Sequence, residues 1–416
     1  MNILQVITSM NPATGGPCQA VRNLLAQTSA LGHQMEVVCL DDPEDHYFSQ
    51  ELLPITALGR GRGPWQYHPR LFSWLKANLP RFDAAILNGL WQYPGYALAT
   101  AARSPNQPPY YVFPHGMLDP WFQRAPGRRW KAARNWLHWK LIEQKVIHGA
   151  QGLLFTCAEE MRLARGTFRP YQPKHQVNVG FGVAQPPAYH AGMKAAFTAQ
   201  CPGLNGRPFW LFLGRIHPKK GVDLLLRAYA EVCANATANG QEQVPRLVIA
   251  GPGLETLFGK QMQALATRLC APGAVFWPGM LAGDAKWGAL NHAEAFALIS
   301  HQENFGIAVV EALACGTPVL ISNQINIWRE IRGDGAGLVA DDTLEGGRQL
   351  LFCWRNLPTE EKQAMKPAAK ASFEKNFSAG LAAQKLLTTV QYLTASPVLP
   401  LRPAAGPVAI PSEGAR

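Results

Sequence analysis

The sequence predicts an α/β protein of two Rossmann-like domains whose parallel sheets face an interdomain cleft. Three observations predict it. The chain has 416 residues, and at roughly 150 residues per domain that length suggests two sizeable domains. Short apolar runs alternate with helix-length segments, which is the grammar of βαβ units. The alternation occurs twice, in two series of similar size.

In the first series Ile3–Thr8, Met35–Leu40, Ala84–Leu87, Tyr110–Phe113 and Gly152–Thr156 read as strands. Each is short, apolar and bounded by turn residues or charges, as buried parallel strands are. Pro17–Leu31 between the first two is a helical pattern ending at Gly32. The run Val177–Val183 closes the series, giving a first domain over residues 1–184. Residues 185–207 hold Pro186, Pro187, Pro202, Gly203 and Gly206 and read as an interdomain linker. The second domain, 208–395, opens with Phe209–Leu213 and continues through Arg246–Ala250, Ala274–Trp277, Ala295–Ile299 and Pro318–Ser322. Residues 396–416 are Pro/Ala-rich with little to bury and read as a disordered tail.

Composition bounds the function. Apolar residues make up 47% and charged residues 16%, which excludes a disordered chain and supports a buried core. The net charge of +11 asks for an anionic partner and leaves nucleic acid, an acidic membrane and phosphorylated small molecules open. The start, Met1–Thr8, lacks the basic leader and long apolar run of a secretory signal. No stretch of about 18 uncharged apolar residues predicts a transmembrane helix. The eight cysteines are scattered without a CxxC pair, so buried thiols in a reducing cytosol are expected rather than zinc or disulfides.

Three motifs carry chemistry. Gly15-Gly16 follows the first strand and precedes a helix, a place where backbone N–H groups can meet an anion. Arg215 and Lys220 follow the strand Phe209–Leu213; a planar fork and a point charge there suit a diphosphate. Ser300–Ser322 is the most informative stretch. A polar loop with Glu303-Asn304-Phe305-Gly306-Ile307 leads into a helix that bears Glu311 and stops at Gly316. A carboxylate near such a helix start suits the hydroxyls of a sugar or ribose.

Glu303-x₇-Glu311 in this setting resembles the signature of retaining glycosyltransferases of family 4, which have the GT-B fold. Gly214-Arg215 with Lys220-Gly221 resembles that family's diphosphate segment, Gly15-Gly16 its N-terminal glycine loop, and Leu247–Gly253 its Ala-Gly-Pro-Gly turn. His115–Trp121 and Asn326–Ile331 resemble a branch associated with exopolysaccharide and lipopolysaccharide assembly. The resemblance runs from about Ile3 to Leu387. It implies that the N-terminal domain binds acceptor and the C-terminal domain binds a nucleotide sugar. It further implies that Gly16 N–H faces the diphosphate, that Arg215 and Lys220 neutralise it as it leaves, and that Glu303 with the Asn304–Ile307 backbone holds the transferred sugar. Glu311 would bind the ribose, and His115 would contact the sugar near the reacting carbon. The expected catalytic set is therefore His115, Arg215, Lys220 and Glu303. Two departures stand out: Ser300-His301 where many members have Pro-Ser, and Gly180-Phe181-Gly182 where Asn-Gly is common.

No Asp-x-Asp pair occurs to hold a metal. The cations and helix start can stabilise the departing diphosphate instead, so no metal and no cofactor beyond the nucleotide-sugar co-substrate is expected. Arg124–Lys145 is basic and rich in tryptophan. On one helix spanning Arg129–His148, the cations Lys131, Arg134, His138 and Lys145 fall within an arc of roughly 60°, flanked by Trp130 and Trp139. Trp130, Lys131, Arg134 and Trp139 thus become candidates for contact with acceptor or an anionic membrane. A solvated helix face with its tryptophans in the core, or a nucleic-acid patch, are the other readings; no nucleic-acid motif accompanies it. The expected function is a cytoplasmic, peripheral transferase that adds sugar to a saccharide or lipid-linked saccharide acceptor in bacterial surface polysaccharide synthesis. A transferase on a soluble acceptor, a GT-B epimerase and a catalytically silent nucleotide-sugar module are the alternatives.

Overall fold

In the computed structural model, residues 1–48, 53–124, 129–240 and 244–395 are described. The expected tail 396–416 and Arg128 of the basic segment lie outside them. Among the described residues, thirteen strands form two wholly parallel sheets. The first contains β1 (Asn2–Ile7), β2 (Gln34–Cys39), β3 (Ile55–Ala57), β4 (Ala84–Asn88), β5 (Tyr110–Phe113), β6 (Gly152–Phe155) and β7 (Gln176–Asn178) in the order β3-β2-β1-β4-β5-β6-β7. The second contains β8 (Phe209–Leu213), β9 (Arg246–Ala250), β10 (Val275–Gly279), β11 (Ala295–Leu298), β12 (Val319–Ser322) and β13 (Gly337–Ala340) in the order β10-β9-β8-β11-β12-β13. Strand order reverses between β1 and β4 and again between β8 and β11. Ligands of doubly wound sheets bind outside the carboxyl ends at such reversals.

The central strands are buried on both faces, which is why they read as apolar runs rather than alternating ones. On β1, Ile3 and Ile7 pack with Val21 and Leu24 of the helix Gly16–Ala30, while Leu4 and Val6 pack on the other face with Leu75 and Leu98. Two short strands, β3 and β13, were outside the sequence expectation. Both lie at sheet edges and are only partly buried, unlike the fully buried central strands that read as apolar runs. The run Val177–Val183 splits: β7 ends at Asn178 and Val179–Val183 is the crossing between domains.

The structure changes the expected limits of the domains. Residues 185–207 include a helix, Ala191–Gln200, with Met193 and Phe197 buried. It packs so closely on the helix Gly283–His292 that a Cβ on Gly288 would lie 2.0 Å from Met193 O. The apolar spacing of Met193 and Phe197 outweighs the flanking prolines and glycines. The final helix, Ala379–Ala395, returns to the first sheet, where Ala383, Leu386, Leu387 and Val390 join Val21 and Leu24. The chain thus crosses between domains twice, and the crossings pair: Val183 N–H donates to Phe377 O at 2.8 Å and Ala379 N–H to Val183 O at 2.9 Å. All eight cysteines are free thiols. Among the described residues, no helix is long and apolar enough to cross a membrane.

Candidate active site

Two helix starts from opposite domains open into one cleft. The helix Gly16–Ala30 follows β1 and has no side-chain cap at Gly15. The helix Ile307–Ala314 follows β11 and has none at Gly306. Their first N–H groups lack intrahelical partners, and the helix dipole adds partial positive charge at the same ends. Gly16 and Ile307 both line a cleft of about 270 Å³, together with His115, Lys220, Glu303 and the Asn304–Gly306 backbone. Eight of the residues picked from sequence therefore converge. A larger groove of about 900 Å³, between the helices Val222–Ala238 and Leu257–Leu269, shares none of them.

His115 follows β5 in a left-handed turn, with φ 51° and Gly116 at φ 80°. Its ring stacks on Phe113 at 4.5 Å, and Nε2 lies 3.0 Å from Asn88 Oδ1. Asn88 Nδ2 itself donates to Gln5 Oε1 at 2.7 Å, so the amide presents its oxygen to the histidine. That network assigns the proton to Nε2 and makes Nδ1 an acceptor. Nδ1 is buried without a protein partner. Burial pushes the imidazole down to about 3, so the ring is neutral at ordinary pH and suited to accept from a sugar hydroxyl.

Lys220 Nζ donates to Glu303 Oε1, and both side chains are mostly buried. The loop that delivers Lys220 is held from behind. Ser300 Oγ donates to Lys219 O at 2.9 Å and His301 N–H to the same oxygen at 2.9 Å, so the unusual Ser300-His301 pair serves as an anchor. Gly221, at φ 65°, passes so close to β11 that a Cβ would meet Ile299 O at 1.9 Å; only glycine fits there. Arg215 stands exposed on the same loop, outside the cleft lining. Glu311 also lies outside the lining. It accepts from Lys286 Nζ at 2.8 Å, a lysine that the sequence reading did not single out.

The His115–Trp121 segment does more than present the histidine: it forms the seam between domains. Gly116 packs on Asn304, where a Cβ would lie 2.6 Å from Asn304 Cγ. Asp119 accepts from Gln302 Nε2 at 2.9 Å, and Lys219 Nζ sits 5.2 Å above the Trp121 ring. Asn304 Nδ2 donates to Thr156 Oγ1 at 3.0 Å, and Arg329 pairs with Glu159 at 2.7 Å. Glu160, buried behind the turn, accepts from Gly116 N–H at 2.5 Å and from Thr156 N–H at 2.8 Å. Burial pushes its carboxyl up and these donors oppose the push. Asn88, at the end of β4, and Glu160, in the first turn of the helix Ala158–Ala164, were missed in the sequence because a lone Asn or Glu carries no motif. Phe181, noted only as a departure, stacks on Phe305 at 4.9 Å and lines the cleft.

The basic segment departs from its expected geometry. Its helix runs Arg129–His138, widens to a π turn at Trp139–Glu143 and resumes as Gln144–Gly149. The wider turn moves Lys145 out of register with Lys131 and Arg134. Trp139, where the wider turn begins, points inward: the residue is 0% exposed and stacks on Phe168 at 4.7 Å. Trp139 therefore cannot touch a membrane or acceptor. Trp130 (91% exposed), Lys131 and Arg134 are exposed. Among the described residues, no group of three or more His, Cys, Asp or Glu is placed to hold a metal ion.

Comparison with known proteins accords with this geometry. Residues 15–180 match the family described as Glycosyl transferase 4-like domain and residues 199–346 match Glycosyl transferases group 1; together they take in most of the chain. The chain belongs to the family 4 glycosyltransferases. Relatives of this glycosyltransferase include the D-inositol 3-phosphate glycosyltransferases of Acidothermus cellulolyticus, 33% identical over 32% of this chain, and of Rhodococcus jostii, 33% identical over 37%. The matches span 29% and 33% of those relatives' lengths. Among solved structures, HepE of Anabaena in complex with UDP and glucose superposes with a TM-score of 0.72 at 16% identity, covering 94% of this chain and 100% of that one. WaaG, a glycosyltransferase involved in lipopolysaccharide biosynthesis, gives 0.64 at 13% identity, covering 95% and 100%. At these identities the likeness establishes the shared GT-B fold of the glycosyltransferase.

Proposed function

We propose that this glycosyltransferase moves a sugar, with retention of configuration and without a metal ion, from a nucleotide-diphosphate sugar to a lipid-linked saccharide in surface polysaccharide synthesis. The observation that carries the donor half is the convergence of Lys220, His115 and two uncapped helix starts on one cleft. Breaking the bond from the sugar carbon to the phosphate oxygen leaves the electron pair on the diphosphate. Lys220, Arg215 and the helix N–H groups meet that charge as it develops. His115 Nδ1 accepts from a hydroxyl of the transferred sugar, Glu303 takes others, and Glu311 takes the ribose. The acceptor oxygen bonds to the sugar carbon on the face the diphosphate leaves, and its proton passes to the departing phosphate oxygen. Retention rests on the family resemblance, and no covalent nucleophile is assigned.

The lipid-linked acceptor is supported by the helix at Arg129–His138 and the turn after it. Trp130, Trp136, Leu137 and Leu141 stand exposed there among Lys131, Arg134, Lys140 and Lys145. Exposed apolar side chains interleaved with cations suit the headgroup region of an anionic bilayer. A second reading, transfer to a small phosphorylated acceptor, is favoured by the relatives' names. Turnover assays of UDP-sugars and GDP-sugars in excess EDTA test the donor half; loss of activity in EDTA, restored by a divalent metal, would overturn metal independence. Sedimentation with liposomes tests the membrane half: salt-sensitive binding to acidic vesicles is expected, and equal binding to neutral ones at high salt overturns it.

A further inference from the structure

A second cavity, of about 560 Å³, opens beside the donor cleft in the first domain. It lies at the carboxyl ends of β4 and β5, between the Leu90–Gln92 loop, Met117 and the helix Arg129–His138. Met117 follows His115 by two residues, so one short turn borders both spaces. Its volume is that of a small-molecule site, and its walls combine aromatic faces with few polar groups. Trp65 and Trp91 supply the faces. Trp91 is held at φ 73°, an uncommon conformation for a bulky residue and one that clusters at functional positions. Its N–H donates to the buried carboxylate of Glu143 at 2.8 Å, on the π turn. Among the described residues Trp65 Nε1 and His138 Nδ1 are buried at this cavity without hydrogen-bond partners, although His138 Nδ1 lies 3.8 Å from Glu143 Oε1.

The cavity lining carries one cation, with the buried Glu143 carboxyl behind it. Among the described lining residues Arg134 carries a guanidinium and none carries a carboxylate. Burial, with Arg134 beside it, holds the His138 imidazole below its ordinary range, so that ring serves as a neutral hydrogen-bonding group. Among the described residues Arg134 has no partner but Asn135 Oδ1, at 3.4 Å, which leaves its fork able to turn to a ligand anion.

We propose that this cavity receives the sugar ring of the acceptor, stacked on Trp65 and Trp91, and that Arg134 pairs with an anionic group on that ring. The proposal rests on the glycosyltransferase reading and names the acceptor class: a pyranoside bearing a carboxylate or phosphate. The test is a ligand-observed NMR titration of the full chain with saturating UDP, using three probes. They are methyl β-D-glucopyranoside, methyl β-D-glucopyranosiduronate and α-D-glucose 1-phosphate. The charged probes should bind about tenfold tighter than the neutral one, as a charge-assisted contact would give. Arg134→Ala should bring them to the neutral level, and Trp65→Ala should weaken all three. The stronger of the two charged probes distinguishes an acidic sugar from a sugar phosphate. Charged probes no tighter than the neutral one, or unchanged by Arg134→Ala, overturn the proposal. The thermal shift with UDP is read on every variant. A wild-type chain that neither UDP nor GDP stabilises would sink the donor reading itself, whereas a retained shift with failed titrations would sink only the acceptor cavity.

Discussion

Lys220 Nζ donates to Glu303 Oε1 across the donor cleft, joining the loop after β8 to the loop after β11. The cation proposed to meet the diphosphate is thus also the partner of the carboxylate proposed to hold the sugar. Lys220→Ala removes the charge and leaves Glu303 mostly buried without it. Its kcat/KM is expected to fall about 10²–10³-fold, in the range of losing one preorganised donor to a developing anion. Near wild-type turnover would overturn the assignment.

Glu303→Gln separates the two roles. The neutral amide frees Lys220 for the phosphates, so UDP should bind several-fold tighter, seen as a larger thermal shift. The sugar loses a charged acceptor, so kcat should fall. Weaker UDP binding together with unchanged kcat would contradict this division.

Gly116→Ala tests the seam. The residue sits at φ 80°, and the added Cβ would lie 2.6 Å from Asn304 Cγ. Backbone strain and the clash together should cost roughly 1–3 kcal/mol and push Asn304 from Thr156. A fall in both melting temperature and kcat is expected. A Gly116→Ala enzyme with the melting temperature and turnover of wild type would show that the domains do not need this contact.

Much of this arrangement was legible in the sequence where a local pattern and a chemical motif coincide. Glu303–Glu311 sits on a loop-to-helix start, and Lys220 follows a buried strand, so both could be placed before the fold was known. Asn88, Glu160 and Lys286 could not be. Each acts through a partner 25 or more residues away: His115, Gly116 and Glu311 respectively. The return of the helix Ala379–Ala395 to the first sheet was hidden for the same reason, since its apolar face fits either domain. Trp139 was misplaced because a tryptophan flanking a basic stripe carries no local sign of whether it faces solvent or core; its stacking partner, Phe168, lies 29 residues away.

Asn88→Asp tests the protonation of His115. The neutral ring's contribution to stability is full above about pH 6.5 and is lost as pH falls toward its folded value of about 3. No limb from this group should therefore appear in wild-type kcat/KM above about pH 5. A carboxylate at position 88 would stand about 3 Å from Nε2 and raise the imidazole by roughly 1–3 units. The variant should gain an acid limb near pH 4–6, where Nδ1 takes a proton and can no longer accept. Superimposable profiles would show that Nδ1 does not meet the sugar.

Glu143 gives the last prediction. Burial pushes its carboxyl from 4.5 up to about 7, opposed by the Trp91 N–H. A folded value above the unfolded one means that the native state binds the extra proton. Stability from this group is full below about pH 4.5 and is lost as pH rises through 7. Glu143→Gln keeps an oxygen for Trp91 N–H and cannot ionise. Any packing offset acts equally at all pH values, so the informative quantity is how the gap between variant and wild type changes. That gap should shift in favour of the variant by up to ~3 kcal/mol between pH 5 and 8.5, taking ~1.4 kcal/mol per unit. In melting temperature this amounts to a change of several degrees for a domain of this size. A gap that stays constant across that range would mean that Glu143 titrates normally and that the turn holding Trp91 is not set by a buried acid.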